Sequence, residues 1–202
     1  IVDRLLFRAP AFLRDAASVH RVYLSYLFDG KVRTDRNIEF ARYLDFGKMT
    51  STFDRIAAFQ TRQLAVGTGE QSREMSVAVV SASFFGFFDA PPALGRYFTA
   101  DEDRVPEGAQ VAVLSYPLWQ TVFAGRRDIL GSQIRVDGMN CTIVGVAPEG
   151  FVGVGDRQVP VAYVPITAYA FSFRGPNYPK VYQWSWMEML AHRAREVSLD
   201  RA

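Results

Sequence analysis

The sequence predicts an α+β fold, and two observations carry that prediction. Two pairs of alternating apolar and polar runs look like hairpins: Gln63–Gly67 with Glu74–Val80, and the two halves of Ser132–Gly145. Short segments with helical spacing stand among these strand-like runs. The composition agrees with a packed chain, since 49% of residues are apolar and 22% charged.

Taken in order, Val19–Leu27 alternates and ends at Asp29-Gly30, which predicts a strand and a turn. Beyond Asn37, Phe40, Tyr43, Leu44 and Phe46-Gly47 are spaced as on a helix. Phe53, Ile56, Ala57 and Phe59 continue that spacing after Thr50-Ser51-Thr52, so two helices or one kinked helix fit equally. Thr68-Gly69-Glu70-Gln71 is the turn of the first hairpin. Ser81–Asp89 reads as a short helix with Ser81 or Ser83 as its cap. Phe84, Phe85, Phe87 and Phe88 would cover most of its circumference, which predicts a wedge between layers. Pro91-Pro92 forbids continuation.

Thr99-Ala100-Asp101-Glu102 has the spacing of a capping box, in which hydroxyl and carboxylate each satisfy a free backbone N–H. Asp101, Glu102 and Asp103 are accordingly read as helix-start residues rather than as an acid–base pair or a metal site. Gln110–Ser115 is a strand, and Tyr116–Phe123 a helix carrying Leu118, Trp119 and Phe123, stopped at Gly125. Asp137-Gly138 is a two-residue hairpin turn. It sets Val136 opposite Met139 and Ile134 opposite Cys141, which predicts a buried structural thiol. Val159–Ile166 is a strand placed at an edge by Pro160 and Pro165. Residues 167–181 read as a long loop, and Tyr182–Ala191 as the last strand.

A search for chemistry returns little. The chain has 23 basic and 21 acidic residues mixed along its length, so it lacks the concentrated basic footprint of a nucleic-acid binder. One cysteine forms no internal disulfide and no thiolate metal site. His20 and His192 are far apart in sequence, with no ligand spacing around either. No nucleophile elbow or P-loop occurs. Gly150, Gly153 and Gly155 do not make a dinucleotide fingerprint and read as a flexible loop. Ser115 and Asp128 have no visible base or acid partner. The reading is therefore not an enzyme, with no cofactor and no metal. Trp184 and Trp186, two apart on one strand, share a face. They are core residues or an aromatic contact patch for a partner, a ligand or a membrane surface. They are the candidate site. No apolar run approaches the roughly 20 residues of a membrane span. The start at Ile1 and the stop just after Ser198, a helix cap with scarcely a helix behind it, predict a piece of a longer protein.

An ordered set of motifs adds to this. It runs through Val80-Ser81 and Phe84-Phe85, Pro92-Ala93-Leu94-Gly95-Arg96 with Phe98-Thr99, and Glu102-Asp103. It continues through Val111–Tyr116 with Leu118-Trp119, Gly131 with Ile134 and Val136-Asp137-Gly138, and Thr142–Pro148 with Gly150-Phe151. The set resembles the MacB-type periplasmic core domain of ABC-transporter permeases, of the MacB/FtsX-like group. The likeness is strongest over residues 76–166, and weaker at Leu5-Leu6-Phe7-Arg8 with Pro10 and at Val197-Ser198-Leu199.

The resemblance implies a porter-like α/β sandwich lobe, residues 1–95 and 160–202, with a second small α+β lobe inserted at 96–159. On this view the carboxy-terminal part of the first lobe is truncated, the Phe cluster is its interior wedge, and Thr99 starts the first helix of the inserted lobe. It implies a non-catalytic domain on the periplasmic, extracytoplasmic side of the cell membrane. Its partners would be the permease's own transmembrane helices, a separate ATPase subunit or domain and, in exporters, a periplasmic adaptor. Such a domain transmits conformational change and contacts cargo or partners. The competing reading is an extracytoplasmic ligand- or lipid-sensing module using Trp184 and Trp186.

Overall fold

The structure, a computed structural model, describes residues 2–4, 10–49, 51–67, 72–154, 159–194 and 197. The turn at 68–71, Gly155, Leu5–Arg8 and Ser198-Leu199 therefore lie outside the described residues. The strands are β1 (Val2–Arg4), β2 (Val19–Val22), β3 (Leu24–Phe28), β4 (Lys31–Asp35), β5 (Ile38–Glu39), β6 (Phe53–Val66) and β7 (Arg73–Val80). Then follow β8 (Leu94–Gly95), β9 (Val111–Leu114), β10 (Gln133–Val136), β11 (Met139–Val146), β12 (Ala162–Pro165) and β13 (Ser185–Arg193). The helices are α1 (Phe40–Phe46), α2 (Tyr116–Phe123) and α3 (Ile166–Arg174), with a short 3₁₀ helix over Ala82–Phe87. One large mixed sheet with few helices is the α+β architecture the sequence predicts.

The sheet runs β1-β2-β13-β6-β10-β11-β9-β12-β7, and β7 then pairs back onto β6. Six strands thus close into a ring, while β13, β2 and β1 extend from the first half of β6 as an open sheet. Register agrees around the whole ring. Leu64 and Val66 face inward beside Val77 and Val79, Ala162 and Val164, Ala112 and Leu114, Ile143 and Cys141, Ile134 and Val136, all buried together. The hairpin register matches the sequence reading, with Ile134 opposite Cys141 and Val136 opposite Met139. Asp137 and Gly138 both have positive φ, as the two-residue turn requires. Cys141 is buried, and burial pushes its thiol up to about 12.

The outer face of β6, β7, β9 and β12 carries a second core. Ala57, Phe59, Ala78, Val80, Val113, Tyr163 and Leu190 meet the four phenylalanines of Ala82–Phe87 and the residue after it, with Phe98 and Phe151 as cover. Phe84, Phe85, Phe87 and Phe88 are all buried. Phe85 is the hub: its ring stacks on Tyr97 at 3.9 Å and meets Phe98 and Tyr163 edge-on. Ser81 holds this segment to the sheet. Its N–H donates to the Ala58 carbonyl and its hydroxyl accepts from the Ala58 N–H, 3.0 Å away, so it extends the ladder instead of capping its own helix.

Five sequence expectations change. Phe53, Ile56, Ala57 and Phe59 belong to β6, not to a helix. Both faces of mid-β6 are covered, so alternation vanishes there and apolar positions mimic a helical stripe. Val19–Leu27 is two strands broken at Tyr23. β12 lies between β7 and β9 and is not an edge strand, because its prolines flank the ladder: Pro160 precedes it and Pro165 ends it where α3 begins. Residues 167–181 are not a loop but mostly α3 and a 3₁₀ turn at Tyr178–Lys180. Thr99–Glu102 makes the reciprocal contacts of a capping box, with the Thr99 N–H donating to Glu102 Oε2 at 2.8 Å, but it closes a turn and starts no helix. Arg96 Nη1 and Nη2 hold the same carboxylate at 2.7 and 2.8 Å, which fixes the turn in place of a helix.

Glycine is required where β8 crosses β11. Gly95 and Gly145 lie directly opposite each other. A Cβ on Gly145 would stand 2.1 Å from the Arg96 carbonyl oxygen, and one on Gly95 2.3 Å from that of Val144.

Candidate functional site

The two tryptophans are together, and they bring residues the sequence reading did not name. Their rings stack 4.7 Å apart at 15°. Helix α3 adds Tyr169 and Phe173, one turn apart, stacked at 5.9 Å. Tyr169 contacts Trp186, and Phe173 lies 5.8 Å from Trp184. The four rings form a closed ladder across α3 and the start of β13. Arg174 covers its outer end, with its guanidinium carbon 4.6 Å from the Trp184 ring and 5.2 Å from that of Phe173.

The two tryptophans divide the roles that the sequence left open. Trp186 is 3% exposed and belongs to the core, while Trp184 is half-buried. The Trp186 carbonyl accepts from Gln60 Nε2 at 3.0 Å, which ties this corner to β6. The accessible part of the ladder is Phe173, 56% exposed, with the edge of Trp184 and Arg174. Phe173 and Arg174 were missed because Gly175, Pro176 and Pro179 dominated the reading of 167–181. The signal was present: Ile166, Tyr169, Ala170 and Phe173 follow the i, i+3, i+4, i+7 spacing of a helix.

The other chemistry-bearing side chains are structural in their contacts. Asp103 turns inward, away from the helix-start role expected of it. Its carboxylate accepts from the Ala82 N–H at 2.8 Å and the Thr167 hydroxyl at 2.7 Å, joining the Phe segment to the start of α3. Burial pushes its carboxyl up to about 6, against the opposing pull of those hydrogen bonds. His192 Nδ1 lies 2.7 Å from Asp54 and Nε2 3.4 Å from Asp15. Among the described residues no group of three or more His, Cys, Asp or Glu is arranged to hold a metal ion, and no helix is long and apolar enough to cross a membrane.

A family model described as the MacB-like periplasmic core domain matches residues 11–196. The chain belongs to that family. Among curated relatives it is 34% identical over 90 residues to the macrolide export ATP-binding/permease protein MacB of Chlorobaculum tepidum, a match covering 44% of this chain and 13% of that protein. It is 29% identical over 121 residues to the pyoverdine export ATP-binding/permease protein PvdT of Pseudomonas syringae pv. tomato, covering 57% of this chain and 18% of that one. The matches thus span less than a fifth of either relative's length. Among solved structures, the periplasmic region of MacB from Actinobacillus actinomycetemcomitans superposes with TM-score 0.61 at 16% identity, over 91% of this chain and 78% of that one. The extracellular domain of the noncanonic ABC-type transporter YknZ from Gram-positive bacteria does so with TM-score 0.56 at 15% identity, over 79% and 73%. These two likenesses show the MacB-type fold.

Proposed function

We propose that this MacB-like core domain is the non-catalytic, extracytoplasmic part of an ABC-type export permease. It carries conformational change between membrane helices and cargo or partner proteins. The observation that supports this reading is the double membership of β6. One fourteen-residue strand belongs to the closed ring by its second half and to the β13-β2-β1 sheet by its first. A movement of the open sheet therefore reaches the ring through continuous backbone, with no hinge between. In this reading the protein sits on the periplasmic side of the cell membrane. It works with its own transmembrane helices, an ATPase subunit or domain and a periplasmic adaptor. Residues 96–159 form the inserted lobe and the remainder the porter-like lobe.

Within that reading, Trp184 with Phe173 and Arg174 is the partner contact, and Trp186 is its buried support. The experiment begins with the parent reading frame. Apolar spans of about 20 residues on both sides of this segment are expected, and hydrophilic flanks would defeat the permease reading. In the parent, a cysteine replacing Phe173 should cross-link to a partner protein, and a cysteine at Val32 should not. Equal labelling at both positions would remove the contact assignment.

A further inference from the structure

Strands β3 and β4 form a hairpin that, among the described residues, pairs with no other strand. Asp29 and Gly30 turn it in two residues, both at positive φ. Its base is anchored: Leu24 packs against the inner core, and the Asp35 carboxylate accepts from the Asn37 N–H at 2.9 Å. From Ser25 to Thr34 every residue is exposed, so the rest of the hairpin stands off the fold. Both faces are apolar. Leu27 and Val32, 76% and 68% exposed, are the two most exposed large apolar side chains among the described residues, and they form a cross-strand pair. Ser25 and Thr34 share that face and hydrogen-bond at 3.0 Å, so the face carries no charge. The opposite face pairs Tyr26 with Arg33 and Phe28 with Lys31, and both aromatic rings are more than half exposed. Four such side chains on one hairpin are an exposed apolar patch that something covers.

Area and position say what covers it. A large side chain buries about 150–250 Å² in full, so at these exposures the four offer about 500 Å² over both faces. A stable protein interface takes roughly 800 Å² from each partner, and one rigid partner does not cover both faces of a hairpin. A fluid lipid layer sets no such minimum and closes around an element that is apolar on two sides. Aromatic rings beside Lys and Arg are the composition of the membrane–water interface, where the rings sit at headgroup level and the long cationic chains reach the phosphates. Position agrees. Val2 lies opposite Val22, so the backbone enters the fold at the end of β2 from which, after Tyr23, the hairpin begins. In the permease reading a membrane helix delivers the chain to that end, and the inference rests on that reading for its placement.

We propose that the β3–β4 hairpin lies flat in the headgroup layer of a lipid bilayer, with Leu27 and Val32 toward the acyl chains and Lys31 and Arg33 on lipid phosphates. Lying flat keeps the Asp29 carboxylate of the turn out of the hydrocarbon, where a charge is costly. Tyr26 and Phe28 then occupy the interface. The hairpin is a second point of attachment to the membrane, one that rests on the bilayer without crossing it.

The test places this chain on vesicles of phosphatidylethanolamine and phosphatidylglycerol, held by an amino-terminal His tag on nickel-chelating lipid. Leu27→Cys carries an environment-sensitive fluorophore, and buried Cys141 leaves the new thiol as the accessible one. The label should shift to the blue and be quenched by doxyl-labelled lipid. The same label on Val122→Cys, 64% exposed on α2, should do neither. Adding Lys31→Glu and Arg33→Glu should reduce quenching at position 27 at least twofold, and Val32→Asp should abolish it, with circular dichroism confirming that each variant is folded. No quenching at position 27, or equal quenching at 122, overturns the proposal. A blue shift without vesicles that grows with protein concentration overturns it in favour of a second copy of the chain. The two readings fail separately: hydrophilic flanks in the parent defeat the permease and leave the quenching result standing, while flanking spans with no quenching defeat only the hairpin assignment.

Discussion

Replacing Phe85 by alanine tests the outer core most directly. Phe85 is 6% exposed and its ring contacts those of Phe84, Tyr97, Phe98, Phe151 and Tyr163. Removing a buried Phe side chain costs about 3–5 kcal/mol, part from lost transfer out of water and part from the cavity left behind. The upper half of that range applies. Tyr163 is fixed in β12 and Phe84 is held by the Ser81–Ala58 pairing, so the neighbours cannot collapse inward. The stacked Tyr97 ring loses its partner too, a further 0.5–1.5 kcal/mol or so. A loss of about 4.5–6.5 kcal/mol in a chain of this size lowers Tm by roughly 9–26 °C, at roughly 2–4 °C per kcal/mol. Thermal melting followed by circular dichroism reads the shift. Phe85→Leu, which retains most of the volume, should lose about a third as much. Phe173→Ala, at a ring 56% exposed, should lose less than about 1 kcal/mol. A Phe85→Ala melt within 3 °C of the unaltered chain would refute the claim that this segment packs as a core.

Gly145→Ala should destabilise by more than about 2 kcal/mol in urea unfolding, because its Cβ meets a backbone carbonyl that cannot retreat, whereas Gly86→Ala meets only the flexible end of Arg55 and should lose less. Asp103 gives a pH signature. Its folded pKa of about 6 lies above the ordinary 3.8, so its contribution to stability is full below pH 4 and is lost as pH rises to 6. Asp103→Asn should flatten that part of the stability–pH curve, and an unchanged slope would reject the assignment. Arg21→Ala should cost about 3 kcal/mol, since it strips the 3.2 Å partner from buried Glu188 and, among the described residues, leaves Arg36 at 3.8 Å as its remaining ion-pair partner; Arg21→Ala/Glu188→Gln should recover part of the loss in the same assay.

The hairpin over residues 132–145 was legible to the register because both strands have a buried inner face and an exposed outer one. Asp137-Gly138 also admits one turn geometry. Helix α2 was legible from Leu118, Trp119 and Phe123 and from its stop at Gly125; the structure adds the Ser115 cap and the left-handed backbone at Ala124-Gly125. β6 was illegible for the opposite reason: with a core on each side, periodicity carries no direction. The Phe segment was recognised as buried, but its place on the outside of a ring depends on β6–β10 and β7–β12 pairing between distant residues. Only the aligned registers reveal that. The site was half legible. Trp184 and Trp186 were found as a pair. Their separation into surface and core follows from α3, which proline and glycine concealed.

The pairing of β13 with β6 has a mechanical consequence. Six paired positions join them over residues 188–193, and eight join β6 to β7. A pull along β13 loads those hydrogen bonds side by side, in shear, so they yield together or not at all. A pull across the sheet would unzip them singly and at low force. The domain is therefore stiff along one axis and compliant along another, and a single-molecule stretching experiment anchored in turn on each axis would record two distinct rupture forces from one fold.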